Sequence, residues 1–369
     1  MLRHNPVVGI IGARQVGKTT LACHIIKQST KNTTFYDLEN PEDTVRLADP
    51  MFALKGLKGI VVIDEIQRLP EIFPVLRVLA DRPEASSRFL ILGSASPQLL
   101  RQGSETLAGR IAYHELGGFS LDEVGVSNYL RLWRRGGFPK SYLAVSDEAS
   151  YEWRRGFIRT FLERDIPQLG INIRSATLHR FWSMLAHYHG QIWNASEFGR
   201  SFGVADTTVR NYVDILSSAL VVRQLQPWHE NISKRQVKSP KIYIIDSGIL
   251  HALLGIKTTV DLEAHPKVGA SWEGFVIEQV IRLMDFSKEE CYFWATHGGA
   301  ELDLLVVRGK ERIGFEVKLT SSPQVTPSMR NAIADLRLKQ LYIVHAGEES
   351  FQPEQKIKAI AFHRLLKDI

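Results

Sequence analysis

Cysteine is nearly missing from this chain: there are 2 in 369 residues, Cys23 and Cys291. Two thiols so far apart, with no ligand spacing around them, exclude a disulfide scaffold and a zinc cluster. They predict reduced, buried thiols in a cytoplasmic protein. Long apolar runs are missing too, and no stretch approaches the ~20 residues that cross a bilayer, so no membrane partner is expected. Met1 leads almost directly into an apolar run, which leaves no room for a signal peptide. Nor does one charge dominate: 46 Lys+Arg face 40 Asp+Glu, a formal net charge of +6. That balance permits a nucleic-acid partner without requiring one. The 44% hydrophobic content is that of a globular chain, and its length predicts two or three domains.

What is present starts with Gly12-Ala13-Arg14-Gln15-Val16-Gly17-Lys18-Thr19-Thr20, directly after the apolar run Val7–Ile11. Gly12, Gly17, Lys18 and Thr19 fill every fixed position of the phosphate-loop pattern G-x-x-x-x-G-K-[ST]. Glycines let the backbone bend with its N–H groups inward, where a larger residue would block phosphate. Lys18 offers charge to the terminal phosphates, and the Thr19 hydroxyl offers an oxygen to Mg²⁺. The helix expected from Thr19 onward turns its positive end toward the same place. ATP and Mg²⁺ are therefore the expected cofactors.

Four apolar residues, Ile60–Ile63, then lead into Asp64-Glu65. This is the pattern of a strand buried on both faces of a parallel sheet, with carboxylates at the end where ligands bind. Asp64 is expected to hold Mg²⁺ and Glu65 to activate the attacking water. A third strand, Arg88–Leu92, ends at Gly93-Ser94, and Ser94 is the candidate to hold the water or the γ-phosphate. Leu107-Ala108-Gly109-Arg110 presents Arg110 as a candidate arginine finger, in cis or from a neighbouring copy in a homo-oligomer.

These strands and motifs resemble the AAA+ ATPases. Gly109-Arg110, Gly136-Gly137-Phe138-Pro139, Leu162-Glu163-Arg164-Asp165 and Lys241-Ile242-Tyr243-Ile244-Ile245-Asp246-Ser247-Gly248 narrow the resemblance. They are similar to a prokaryotic group in which such an ATPase is fused to a C-terminal domain of unknown function with a nuclease-like fold. Residues 121–172 are rich in arginine (Arg131, Arg134, Arg135, Arg154, Arg155, Arg159, Arg164) but diluted by acids, which predicts solvated helices. Asn194-Ala195-Ser196-Glu197 starts a short helix that stops at Gly203, and a second helix begins near Asp206. A helix-turn-helix follows, its outer face carrying Thr207, Thr208, Arg210 and Asn211.

In the last third, a turn centred on Gly309-Lys310 pairs Arg308 with Glu311, which sets Asp303 opposite Glu316 and Glu301 opposite Lys318. Facing carboxylates repel unless a cation sits between them. The arrangement resembles the PD-(D/E)XK nucleases, and the resemblance implies metal ligands Glu273, Asp303 and Glu316 with Lys318 beside them. The expected class is α/β. It comprises an AAA+ P-loop core (1–120), a helical linker or lid (121–172), a winged helix-turn-helix (173–230) and a restriction-endonuclease-like domain (231–369). The expected function is ATP hydrolysis coupled to DNA binding. An ATP-regulated Mg²⁺-dependent nuclease and a nucleotide-gated protein-assembly module are the alternatives.

Overall fold

Short strands of Val, Ile, Leu and Phe organise both halves of the chain. The computed structural model describes all residues except 83–86, 96–102, 104, 169–170 and 172, and it divides into two units. The first, built on Met1–Gly118, is a parallel sheet of β1 (Val7–Gly12), β2 (Thr33–Asp37), β3 (Gly59–Asp64), β4 (Ser87–Ser94) and β5 (Ile111–Leu116). The strand order is β2-β3-β4-β1-β5. Side chains alternate between two buried layers: Val8, Ile10, Val62 and Leu90 on one face, Ile11, Val61, Ile63 and Phe89 on the other. Continuous apolar runs are what such a doubly covered sheet requires. Because the strands are parallel, their C-terminal ends share one rim. Gly12 is in register with Ser94, and Asp37 with Asp64.

The second unit, built on Phe119–Ile369, holds a nine-stranded sheet. Its strands are β6 (Gln191–Ile192), β7 (Val222–Pro227), β8 (Lys241–Ile244), β9 (Cys291–Ala295), β10 (Glu301–Arg308), β11 (Glu311–Lys318), β12 (Gln340–His345), β13 (Phe351–Glu354) and β14 (Ile357–Ala361). The order is β13-β14-β12-β11-β10-β9-β7-β8-β6. Strand β7 pairs antiparallel with β8 and parallel with β9, so the region of the helix-turn-helix and the last third of the chain share one sheet.

The chain helices of this unit follow a legible order. A helix, Ser175–His187, precedes β6; the helices Ala195–Phe202 and Asp206–Ser218 then lead into β7 and β8. Asn194 caps the first of that pair by accepting a hydrogen bond from the Glu197 N–H, as its position predicts. Further on, a helix (Val268–Leu283), the antiparallel strands β9, β10 and β11, a second helix (Pro327–Leu336) and the parallel strand β12 follow one another. The two helices cover opposite faces of the sheet: Trp272, Phe275 and Val276 pack in one layer, Met329, Ala332 and Leu336 in the other.

Two expectations need correction. Cys23 is exposed rather than buried, because the helix it rides turns that face to solvent; Cys291 is buried. The arginine-rich segment is not uniformly solvated either. Arg154, 1% exposed, donates to the carbonyls of Ser150, Gly248 and Arg134, and Arg135 donates to those of Tyr142 and Ala144. Both guanidiniums thus spend their donors on main-chain oxygens. Near them, Asp246 accepts from the N–H groups of Gly137 and Ile249. A Cβ on Gly136 would lie 2.1 Å from the Asp246 carboxylate, and one on Gly248 would lie 2.1 Å from the Arg135 carbonyl. The Gly136-Gly137 and Asp246-Ser247-Gly248 runs are thus two halves of one structural joint.

His189 and His251 are interior histidines of this unit. The His189 Nδ1 accepts from the Ile244 N–H, and His251 meets Arg134 O through Nδ1 and Ser271 Oγ through Nε2. Burial pushes both pKa values down to about 3, from an ordinary 6.5. The unfolded chain therefore takes up protons first as pH falls. The stability that the neutral rings contribute is complete above pH 6.5 and is lost progressively toward pH 3. The expected loss is about 1.4 kcal/mol per pH unit for each ring. Denaturant unfolding followed between about pH 7 and pH 5 should show this slope, and His189→Gln should remove about half of it, leaving the part due to His251.

Candidate functional site

The loop between β1 and its following helix, α1 (Lys18–Gln28), is bent by two left-handed residues, Gln15 at φ 62° and Gly17 at φ 107°. Gly17 thus needs glycine for its backbone. Gly12 needs it for another reason: a Cβ there would stand 2.4 Å from the Leu116 carbonyl at the end of β5. Ala13 and Val16 are buried and pin the loop from below, while Arg14 reaches Glu39 at 3.4 Å. Lys18 folds over the loop, its ammonium donating to the carbonyls of Gly12 (3.2 Å) and Ala13 (3.0 Å).

Across the rim, the Thr19 hydroxyl donates to Asp64 Oδ2 at 2.6 Å, and the Glu65 N–H donates to Asp64 Oδ1 at 2.8 Å. The two side chains expected to share a metal are therefore already in contact. Burial raises the Asp64 pKa, opposed by these two hydrogen bonds, and Asp37 raises it further. Glu65 lies at φ 54°, ψ 43°, a left-handed backbone that costs a non-glycine residue about 1 kcal/mol or more. Its carboxylate accepts from the Gln67 amide. Burial raises the Glu65 pKa against the pull of Lys18. Ser94 ends β4 beside Gly12, and the next residue's N–H, on Ala95, donates to the Gly12 carbonyl at 3.2 Å.

Sequence reasoning missed Asp37, Glu39 and Gln67. Asp37 ends β2 beside Asp64, and Glu39 joins Arg14 to Arg68. The strand-end position of Asp37 was the available signal, because every carboxylate ending a parallel strand points at the same rim.

Arg110 stands elsewhere. It precedes β5, whose first residue, Ile111, is in register with Val7, so Arg110 lies at the opposite rim. Six strand residues separate the two rims, about 20 Å. Its guanidinium is bound to Asp81, with Nη2 to Oδ2 at 2.9 Å. A finger acting in cis does not fit this placement.

In the second unit, Glu273, Asp303 and Glu316 do converge. The hairpin register is as expected, with Arg308 opposite Glu311 and Leu304 opposite Phe315, and Gly309 at φ 62° makes the two-residue turn. Lys318 pairs with Glu316 Oε1 at 2.9 Å, and Asp303 Oδ2 accepts from the Val317 N–H at 2.9 Å. Glu301, expected opposite Lys318, turns instead to Lys241. That lysine, buried at the start of β8, also meets Glu273 Oε1 at 3.3 Å and Asp303 Oδ1 at 3.6 Å. The Tyr243 hydroxyl donates to Glu273 Oε1 at 2.6 Å. Burial and the neighbouring Asp303 charge push Glu273 up to about 7 and Glu316 up to about 8. Burial alone would lower the Lys241 pKa, but Tyr243 and the surrounding carboxylates hold it well above its ordinary value.

The sequence matches the AAA domain family over residues 4–125. It matches two domain families of unknown function, DUF8612 over residues 126–260 and DUF4143 over residues 268–365. It is 53% identical over 365 residues to the uncharacterized protein Rv2008c of Mycobacterium tuberculosis (strain ATCC 25618 / H37Rv). The same identity holds with Mb2031c of Mycobacterium bovis (strain ATCC BAA-935 / AF2122/97). Each alignment covers 99% of this chain and 82% of the relative. Among solved structures, the Thermotoga maritima RuvB Holliday junction branch migration motor shares 18% identity at a TM-score of 0.29, over 59% of this chain and 81% of that one.

Because the Gly12 contact is with β5 rather than with a ligand, Gly12→Ala should destabilise the first unit even without nucleotide. Overpacking of this kind costs about 1–3 kcal/mol. Thermal unfolding of nucleotide-free protein would register it as a lowered midpoint.

Proposed function

We propose an ATP-hydrolysing function on one premise: the chain belongs to the family of these two mycobacterial proteins, and it carries an AAA-type domain followed by two domains of unknown function. The observation that carries the proposal is the contact of Thr19 with Asp64 at the mouth of a loop whose lysine is already turned inward. A hydroxyl and a carboxylate oxygen form a hard donor set that fits Mg²⁺, which when bound neutralises phosphate charge. The backbone from Gly12 to Thr20 cradles the phosphates, and Lys18 leaves its two carbonyls for the terminal phosphates. Glu65 takes the proton of the attacking water, and Ser94 orients that water or the γ-phosphate. Arg110, at the rim opposite its own loop, serves as a finger for the loop of a neighbouring copy.

The second unit is assigned to DNA contact, with its placement governed by nucleotide state in a cytoplasmic protein. The succession helix, β6, helix, turn, helix, β7 supports a winged helix within 173–230, and Thr207, Arg210 and Asn211 are exposed on its second paired helix. The succession of helix, three antiparallel strands, helix and parallel strand supports a nuclease-like fold for 231–369. The helices of 121–172 make the linker, and the ATPase core takes 1–120.

Two measurements test these assignments. Phosphate release should vanish in Lys18→Ala, and it should fall at least ~100-fold in Glu65→Gln while nucleotide stays bound. Since burial raises the Glu65 pKa, the wild-type rate should decline on acidification from above pH 4.5, the ordinary value. Rates unchanged in both variants would remove the assignment. For DNA, affinity should weaken linearly in log–log form with salt, and Arg210→Ala should reduce that slope by about 1. Salt-insensitive or absent binding would turn the second unit toward a protein partner.

A further inference from the structure

The nuclease-like reading of the second unit brings with it the expectation of a divalent metal between Glu273, Asp303 and Glu316. The residues present do not fit one. The point on which Glu273, Glu301 and Asp303 converge is taken by the ammonium of Lys241. Three carboxylates from a helix and a strand thereby share one cation that belongs to the chain. In the fourth, Glu316, Oε1 has its own partner in Lys318 at 2.9 Å, while the buried Oε2 meets no hydrogen-bond donor among the described residues.

Lys241 is not free to withdraw. It sits on β8, the strand between β7 and β6, where it is in register with Leu225 on one side and Ile192 on the other. Its side chain is 3% exposed, and its ammonium lies 5.7 Å from the centre of the Phe293 ring. Two residues on, Tyr243 projects to the same side of the strand and holds Glu273 at 2.6 Å, fixing that carboxylate toward the lysine. A divalent ion bound by Asp303 and Glu273 would have to sit against this ammonium, charge against like charge. It would also have to draw its oxygens to 2.0–2.6 Å from positions set for an N–H donor.

We propose that Lys241 is a tethered cation standing where the metal of a nuclease-like fold would bind. It occupies the point where the carboxylates converge, so that the second unit grips its partner without taking up a divalent ion there and without cutting phosphodiesters. The lysine of the Lys241–Gly248 run thus has an electrostatic task, distinct from the structural joint formed by Asp246 and Gly248. The proposal rests on the nuclease-like reading only for the expectation of a metal; the occupation of the pocket by Lys241 is independent of it.

The test uses the full chain without nucleotide and Mn²⁺ as the probe, with free Mn²⁺ counted by electron paramagnetic resonance. Whatever the Thr19–Asp64 pair binds is common to every variant. Asp303→Asn and Glu316→Gln should bind as much Mn²⁺ as the wild type. Lys241→Met should gain one Mn²⁺ per chain and lose it again when combined with Asp303→Asn. Its melting temperature should be lowered in chelator and recovered by Mn²⁺, whereas that of the wild type should be indifferent. A wild-type Mn²⁺ lost in Asp303→Asn or Glu316→Gln overturns the proposal, as does a folded Lys241→Met that gains none. If Lys241→Met does not fold with or without Mn²⁺, the wild-type comparison decides alone. DNA that stays intact with Mn²⁺ when bound supports it. A chain that neither binds DNA nor takes up Mn²⁺ defeats the DNA reading and leaves the pocket assignment standing.

Discussion

The carboxylate of Asp64 ties the first unit's site together. One oxygen receives the hydroxyl at the start of α1, the other receives the N–H of Glu65. The phosphate loop, its helix and Glu65 are thereby indexed to one side chain at the end of one strand. This works because parallel strands deliver their ends to a common rim, so neighbours in space come from residues 12, 37, 64 and 94 without any side chain having to reach far. Burial raises the cost of the Asp64 charge, and the two donors offset part of it. The left-handed turn at Glu65 belongs to the same economy of position: the chain leaves β3 sharply enough to keep the Glu65 carboxylate beside the strand end.

The second unit handles charge differently. Its interior cations are spent on the chain itself: Arg154 and Arg135 on main-chain carbonyls, Arg223 on Glu278 at 2.9 Å, Lys241 on three carboxylates. Such groups are retained only when nearly every hydrogen-bonding position is met, because an unpaired buried charge costs several kcal/mol. The arginines that read as solvated along 121–172 are therefore partly scaffold, and the exposed Arg210 is the better candidate for meeting a polyanion.

How much of this was legible depended on how local the cause was. The phosphate loop, the buried strands of the first unit, the Asn194 cap and the β10–β11 register all follow from a few consecutive residues, and they stand in the structure where the spacing puts them. Glu273, Asp303 and Glu316 were found because a hairpin and a family resemblance converge on them. Lys241 stood only as the first residue of a family-resemblance run, and its partners lie 32 or more residues further along the chain. Arg110 read as a loop residue, which it is; which rim the loop belongs to depends on the register of β5 with β1. Asp37 was passed over because β2 lacks the apolar continuity that marked β3.

The borders of the nine-stranded sheet carry a practical consequence. They are β6, two residues long, and β13, four residues long, and so short a selvage offers little template for another chain. A fragment beginning at residue 231 would forfeit β7 and lay bare β9, where four of the five residues are buried. Tailoring the gene at the boundary that composition suggests would thus trade two blunt hems for a raw, adhesive one. The seam that suits recombinant production runs instead on the N-terminal side of Phe119.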